Sequence, residues 1–240
     1  MKRSQIDATI ARSIINAERL GIALPKWASW SPSQFAADAD GVRRQGLGWK
    51  VVDFGLGDFD NCGLVLLVVC NALLDETGEP IVRSQQIGNR TYPASSFSRK
   101  FLFVQPGQTE PHHFHRQKER KDVTILAGGP VRFELAWAES NTKLSSRPVD
   151  VQVDGIWHSL PAYGSIILNA GETVTLPGEL SHIIEVPSKS RDAILLETST
   201  ANNDSSDNIF PFITPSSTPV EEDAEPKYQV LGEYIVAASQ

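Results

Sequence analysis

From residue 46 onward the chain alternates short apolar runs with turn-forming residues. The runs are "GWKVVDFG", "GLVLLVVCNALL", "RKFLFVQ", "DVTILAG", "VRFELAWA", "VDVQVDG", "GSIILNAG", "ETVTLPG", "HIIEVPS" and "AILLETS". Each spans roughly seven to twelve residues and most are bounded by Gly, Pro, Asn or Asp, a spacing that predicts an all-β barrel or sandwich and not alternating βα units. The first 45 residues carry a different period. Ile6, Ile10, Ile14 and Ala17 recur at helical spacing, with Ser4 the expected N-cap and Gly21 close to the stop. Ser31-Pro32 supplies N-cap and first-turn signals for a second short helix, "SQFAADADGVRRQ". The organisation expected is a helical segment, 1–45, packing on a β-barrel, 46–240, as one domain. The stretch "TPSSTPVEEDAEPK" reads as a polar excursion before a last strand, "YQVLGEYIVA".

Composition narrows the function classes. The formal charge of −7, from 22 basic and 29 acidic residues, opposes the counterion release that drives nucleic-acid binding, so no nucleic-acid partner is expected. No apolar run reaches the ~18 residues of a membrane span, and "MKRSQIDATIARSIINAERLGI" lacks the apolar region of a signal peptide. A cytoplasmic protein with no membrane partner is expected. Cys62 and Cys70 form no CxxC pair and read as structural thiols.

The stretch "EPHHFHRQKERKD" (110–122) holds three of the five histidines. On a strand, the period of two puts His113 and His115 on one face and His112 with Phe114 on the other, which makes a two-imidazole clamp for a metal. Glu119 lies four residues beyond His115, and far downstream "GETVTLPGELSH" delivers His182 after a Pro-Gly turn. Three imidazoles and one carboxylate suit Mn, Fe, Co, Ni or Zn in the +2 state, with positions left open for exchangeable ligands. His158 stands alone near a turn and reads as a surface histidine.

Two spacings make these residues resemble the paired motifs of the cupin superfamily, a family of small metal-binding β-barrels. Gly107 is followed after five residues by His113, then His115 and Glu119; Gly171 is followed after five by Pro177, then Gly178 and His182. Gly128 comes later than that pattern expects, Gly178 comes one residue early, and no Asn follows His182. Several segments together, "GLGWKVVDFG", "GLVLLVV", "FSRKFLFVQPGQTEPHHFH", "LPGELSH" and "ETSTANNDSSDNIF", resemble more closely the D-lyxose isomerase family of cupins.

That resemblance implies a cupin-type β-barrel with N-terminal helices. It also implies a homodimeric, manganese-preferring enzyme that interconverts an aldose and a ketose, with Zn2+, Co2+, Fe2+ or Ni2+ as other ions for the site. His113, His115 and His182 match the family's metal histidines. Its acidic ligand falls five residues after the second histidine, where this chain has Arg120; an arginine cannot bind a cation, so Glu119 is the expected carboxylate and Asp122 the alternative. Lys100 matches a lysine beside the substrate, although Arg99 stands where the family is acidic. Glu197 matches an active-site glutamate, and it follows the buried-looking run "AILL", where an unpaired carboxylate is costly. Asp204 and Asp207 are placed by the resemblance in a loop over the barrel mouth, as contacts to sugar hydroxyls.

The expected chemistry is isomerisation of a free sugar, D-lyxose with D-xylulose or D-mannose with D-fructose. Glu197 would move the proton, Lys100 would hold a hydroxyl, and the metal would polarise the carbonyl. The alternatives are an Fe(II) dioxygenase on the same fold and a non-catalytic sugar-binding cupin.

Overall fold

A computed structural model describes residues 1–38, 40–72, 84–93, 95–201, 207–216 and 218–231. Helix α1 spans Arg3–Arg19, a 3-10 turn spans Lys26–Ser29, and α2 (Pro32–Asp38) and α3 (Asp40–Arg44) follow. The strands are β1 (Gly48–Val52), β2 (Leu64–Cys70), β3 (Ser84–Ile87), β4 (Arg90–Pro93), β5 (Phe97–Val104), β6 (Thr109–His113), β7 (Arg120–Gly129) and β8 (Val131–Ser140). They continue as β9 (Lys143–Leu144), β10 (Val149–Val153), β11 (Ile156–Leu160), β12 (Gly164–Leu168), β13 (Thr173–Pro177), β14 (Leu180–Glu185) and β15 (Arg191–Thr200).

Eight strands form one sheet in the order β1-β2-β5-β15-β7-β13-β10-β11. A second sheet runs β12-β8-β14-β6, with β9 on β8. All the paired strands are antiparallel, and β3 with β4 stands apart as a hairpin. This curled antiparallel architecture is the β-barrel expected from the repeated short runs, and of the cupin type that the family resemblance implies. Its core takes alternate residues of both sheets, among them Leu102, Val123, Ile125, Phe133, Leu135, Leu176, Ile184 and Leu195.

The near-continuous apolar run of β2 has a specific cause. Leu64 and Leu66 point into the barrel, whereas Val65 and Leu67 face outward and are buried beneath α1 with Trp49, Phe103 and Ile194. A strand covered on both faces loses the polar alternation of a half-buried one. The periodic residues Ile6, Ile10 and Ala17 form the helix side of that second core, so the N-terminal helix seals the outer surface of the β1-β2-β5-β15 region.

The end signals of α1 differ from expectation. Ser4 is not the N-cap: the helix begins one residue earlier, Lys2 is the cap position, and it supplies no side-chain bond. Capping comes instead from the acidic segment near the C-terminus. Asp223 accepts hydrogen bonds from the Ser4 backbone N–H and hydroxyl, and Glu222 pairs with Arg3 through both carboxylate oxygens. Carboxylates at a helix N-terminus satisfy its open N–H groups and complement its dipole, which is why "VEEDAEPK" is tied down and not a loose excursion. At the other end Gly21 sits at φ +71° just past the stop, as expected. The second helix carries the predicted cap: Ser31 Oγ accepts from Gln34 N–H and Gln34 Oε1 accepts from Ser31 N–H, a reciprocal capping box. Of the last predicted strand, Val230 forms a bridge with Trp49, and residues 232–240 lie outside the described residues.

Candidate functional site

Two cavities of similar size exist among the described residues. One, about 390 Å3, is an apolar cleft between α1 and the 3-10 turn. The other, about 340 Å3, opens into the barrel and gathers Lys100, Glu110, His113, His115, Lys118, Lys121 and Glu197 on its polar side, opposite Val52, Phe54, Leu64, Leu66 and Leu102. The chemistry lies in the barrel.

The three predicted histidines converge. His113 and His182 are directly paired across β6 and β14, and the rings lie 4.2 Å apart; His115 follows β6, with its ring 5.2 Å from that of His113. Each offers a nitrogen within 4.8 Å of the other two, and all are buried. Their Nδ1 atoms are each engaged by a backbone carbonyl: His113 with Pro111, His115 with Asp207, and His182 with Leu180, at 3.0–3.2 Å. A carbonyl can only accept, so each Nδ1 carries the proton and each Nε2 presents its lone pair, the tautomer a metal requires. Burial, reinforced by the nearby lysines, holds all three imidazoles neutral, well below the usual histidine range. His115 Nε2 is buried without any hydrogen-bond partner. These donors fit a divalent cation.

The β13–β14 turn secures this arrangement. Gly178 N–H donates to Glu119 O, and Glu179 N–H donates to His115 O, so the turn that launches His182 also grips the loop carrying His115. A Cβ on Gly178 would come 3.0 Å from the Lys118 carbonyl, which explains a glycine at that close approach. Asp207 grips the same loop from the opposite side. Its carboxylate accepts from the backbone N–H groups of Arg116, Gln117 and Lys118. With both oxygens so engaged, Asp207 holds the loop carrying His115 in place; it does not line the cavity. Asp204 lies outside the described residues.

Glu119 is not brought to the histidines. Its side chain is exposed and its backbone N–H donates to Thr200 Oγ1. Asp122 lies on the outer side of the barrel wall, where it accepts from Thr175 and Arg120. The reason is strand parity: β7 begins at Arg120, and alternation turns Lys121 and Val123 inward and Arg120 and Asp122 outward. The inward position after the motif is therefore a lysine.

Glu197 sits inside the cavity. Lys100 is its direct cross-strand partner, so β5 and β15 bring these two predicted residues together. Two further lysines hold the carboxylate: Lys118 Nζ is 3.1 Å from Oε1 and Lys121 Nζ 3.2 Å from Oε2. Burial alone would raise the Glu197 pKa, but Lys118, Lys121 and Lys100 outweigh it and keep the carboxyl well below its ordinary value. Lys121 Nζ also lies 2.9 Å from His182 Nε2. Lys118 and Lys121 are 2% and 3% exposed although they belong to the basic run "HRQKERK". Glu110 is the other missed residue. It is buried beside His113, with Oε1 3.5 Å from Nε2, and burial pushes its pKa up to about 7.

His112 faces away, as parity predicted. It lies between Ser181 and Glu134, 3.1 and 3.2 Å from their oxygens, and does not line the barrel cavity. His158 is on β11, remote from the cavity. Both cysteines are free thiols and only half-buried, with Cys62 packed against the barrel core.

The family model described as D-lyxose isomerase matches residues 1–234. The chain belongs to the D-lyxose isomerase family. It is accordingly a sugar isomerase of the aldose–ketose class. Among relatives of this D-lyxose isomerase family member, a D-lyxose/D-mannose isomerase of Escherichia coli O157:H7 is 30% identical over 214 residues, covering 88% of each chain. A D-lyxose/D-mannose isomerase of Serratia proteamaculans is 28% identical over 243 aligned positions, covering 98% of each. The fold is shared with the L-ribose isomerase of Acinetobacter sp. DL28 solved in complex with L-ribose, at TM-score 0.56 and 14% identity over 92% of this chain and 98% of that one. The L-ribose isomerase of Cellulomonas parahominis gives TM-score 0.53 at 17% identity over the same shares. Among the described residues of this family member, no helix is long and apolar enough to cross a membrane.

Proposed function

We propose that this chain is a metal-dependent isomerase of a free aldose, interconverting D-lyxose with D-xylulose and D-mannose with D-fructose. The observation that carries this reading is a buried cluster of three histidine nitrogens, two of them from residues that line the barrel cavity, beside an ionised glutamate clamped between lysines in that cavity. Relatives named for D-lyxose and D-mannose support the choice of sugars. Manganese as the preferred ion and a homodimeric state follow from the family resemblance.

Lewis-acid polarisation of the sugar carbonyl is what a divalent cation held by His113, His115 and His182 supplies when bound. The remaining steps belong to the chain. Glu197, kept ionised by its lysines, takes the proton from C2 of the aldose and returns it at C1. As the C1 carbonyl becomes a hydroxyl and the C2 hydroxyl a carbonyl, one hydroxyl proton passes from O2 to O1, so no external oxidant is consumed. Lys118 and Lys100, next to Glu197, donate hydrogen bonds to the oxygen on which negative charge develops. The apolar wall of Val52, Phe54, Leu64 and Leu102 limits water around the reacting carbons. Glu119, exposed on the outer side of its loop, has no part in this scheme.

The test is an aldose panel given to chelator-stripped protein with and without MnCl2. Conversion of D-lyxose or D-mannose to its ketose on adding Mn2+ is expected, and no conversion of any aldose would overturn the reading.

A further inference from the structure

The geometry points to Glu110 as the carboxylate that completes the metal site, in place of either acid from the "KERKD" end of the motif. This rests on the metal-dependent reading above and names the fourth side chain of that same site.

Glu110 and His113 are three residues apart on one strand, so a regular pleat would turn them to opposite faces. The pairing of β6 with β14 is not regular. His182 lies opposite His113, while Ile184, two residues further along β14, lies opposite Glu110. Three steps on β6 thus face two on β14, which is a β-bulge with one extra residue on β6. A bulge of this kind re-aims the side chains beyond it, and here it carries Glu110 to the face of His113.

The chemistry of the pair then asks for a cation. His113 donates from Nδ1 to the Pro111 carbonyl, so its Nε2 is an acceptor, and that atom faces Glu110 Oε1 at 3.5 Å. Two acceptors placed face to face repel unless the carboxyl holds a proton or a cation lies against both, and a proton on Glu110 would leave His115 Nε2 still unpartnered. The other carboxylate oxygen, Oε2, is buried with no hydrogen-bond partner, and so is His115 Nε2. Buried polar atoms are rarely left unsatisfied, and a bound ion is one of the few explanations for a pair of such atoms in one cavity. The two acids closer to the usual spacing are excluded by position: Glu119 is exposed and Asp122 is held by Thr175 on the outer side of the wall.

The experiment is a MnCl2 titration of chelator-stripped, full-length protein, read from the EPR signal of free Mn2+. It is run on wild type and on Glu110→Gln, Glu119→Gln and Asp122→Asn. The expected result is a Kd raised at least about tenfold by Glu110→Gln, with the other two variants within about twofold of wild type. Binding to Glu110→Gln within that same twofold, or a larger loss in either other variant, overturns the assignment to Glu110 and leaves the metal-dependent reading intact. Failure of the wild type to bind Mn2+ or Zn2+ overturns both. Should Glu110→Gln not fold, the anomalous peak in Mn2+-soaked wild-type crystals decides. A Glu110 oxygen at about 2.2 Å from the peak supports the assignment, and a Glu110 side chain turned away from the peak overturns it.

Discussion

The ammonium of Lys121 lies 2.9 Å from His182 Nε2, on the lone pair that the histidine would offer to a metal. The same ammonium is 3.2 Å from Glu197 Oε2, so a side chain at the inward position of β7 links the candidate metal centre to the candidate base. A cation bound by all three histidines requires Lys121 to withdraw from His182. Lys121 is therefore a competitor within the site, and replacing it with methionine removes the positive charge while keeping most of the apolar stem. Lys121→Met is expected to tighten Mn2+ binding about tenfold, roughly 1.4 kcal/mol, by isothermal titration calorimetry. Weaker binding would show that Lys121 supports the ion by ordering Glu197.

Glu197→Gln separates chemistry from assembly. The amide oxygen can still accept from Lys118, so folding and Mn2+ affinity should change little, whereas the proton carrier is gone. A fall in kcat of about 10²- to 10⁴-fold with a nearly unchanged KM is expected in a D-lyxose assay. Retention of full activity would remove Glu197 from the mechanism.

Asp207 tests the loop. Its carboxylate receives three backbone N–H groups while almost wholly buried, and Asp207→Ala leaves those donors without a partner. A loss of about 3 kcal/mol in urea denaturation is expected, with a weaker Mn2+ affinity because the segment carrying His115 is released. A change of under about 0.5 kcal/mol, the usual range for an ordinary surface substitution, would contradict this role.

The thiol of Cys62 carries a pH prediction. Burial, together with the negative charges of Asp58, Glu110 and Asp53, raises its pKa to about 11. Only the thiolate is nucleophilic, so its reaction with iodoacetamide at pH 8 should be roughly a hundredfold slower than that of a thiol titrating at the ordinary value of 9.0. The rate should still rise about ninefold between pH 9 and pH 10. Measured by mass spectrometry in a Cys70→Ser background, a plateau below pH 9 would contradict the assignment.

Much of this was legible in the sequence because it depends on local rules. Repeated short apolar runs give the barrel strands, helical spacing at Ile6, Ile10 and Ala17 gives α1, and a period of two separates His113 from His112. Glu197 could be singled out from "AILLE", since β15 is buried along that run. What stayed hidden depends on register between distant strands. The bulge opposite Ile184 turns Glu110 toward His113, and no feature of "TEPHH" announces an extra residue. The starting point of β7 decides that Lys121 points inward and Arg120 outward, and a shift of one residue would have reversed them. Lys118 and Lys121 gain their meaning only from Glu197, about eighty residues away. The capping of α1 by Asp223 escaped for the same reason: the partner comes from the far end of the chain.

The measurement that tests the central claim most directly is the conversion of D-lyxose to D-xylulose by chelator-stripped protein under argon, with and without MnCl2. A metal-dependent isomerase converts the sugar when Mn2+ is present, needs no oxygen, and falls to background when the ion is removed. Equal conversion with and without the ion, or conversion that requires oxygen, would contradict the account.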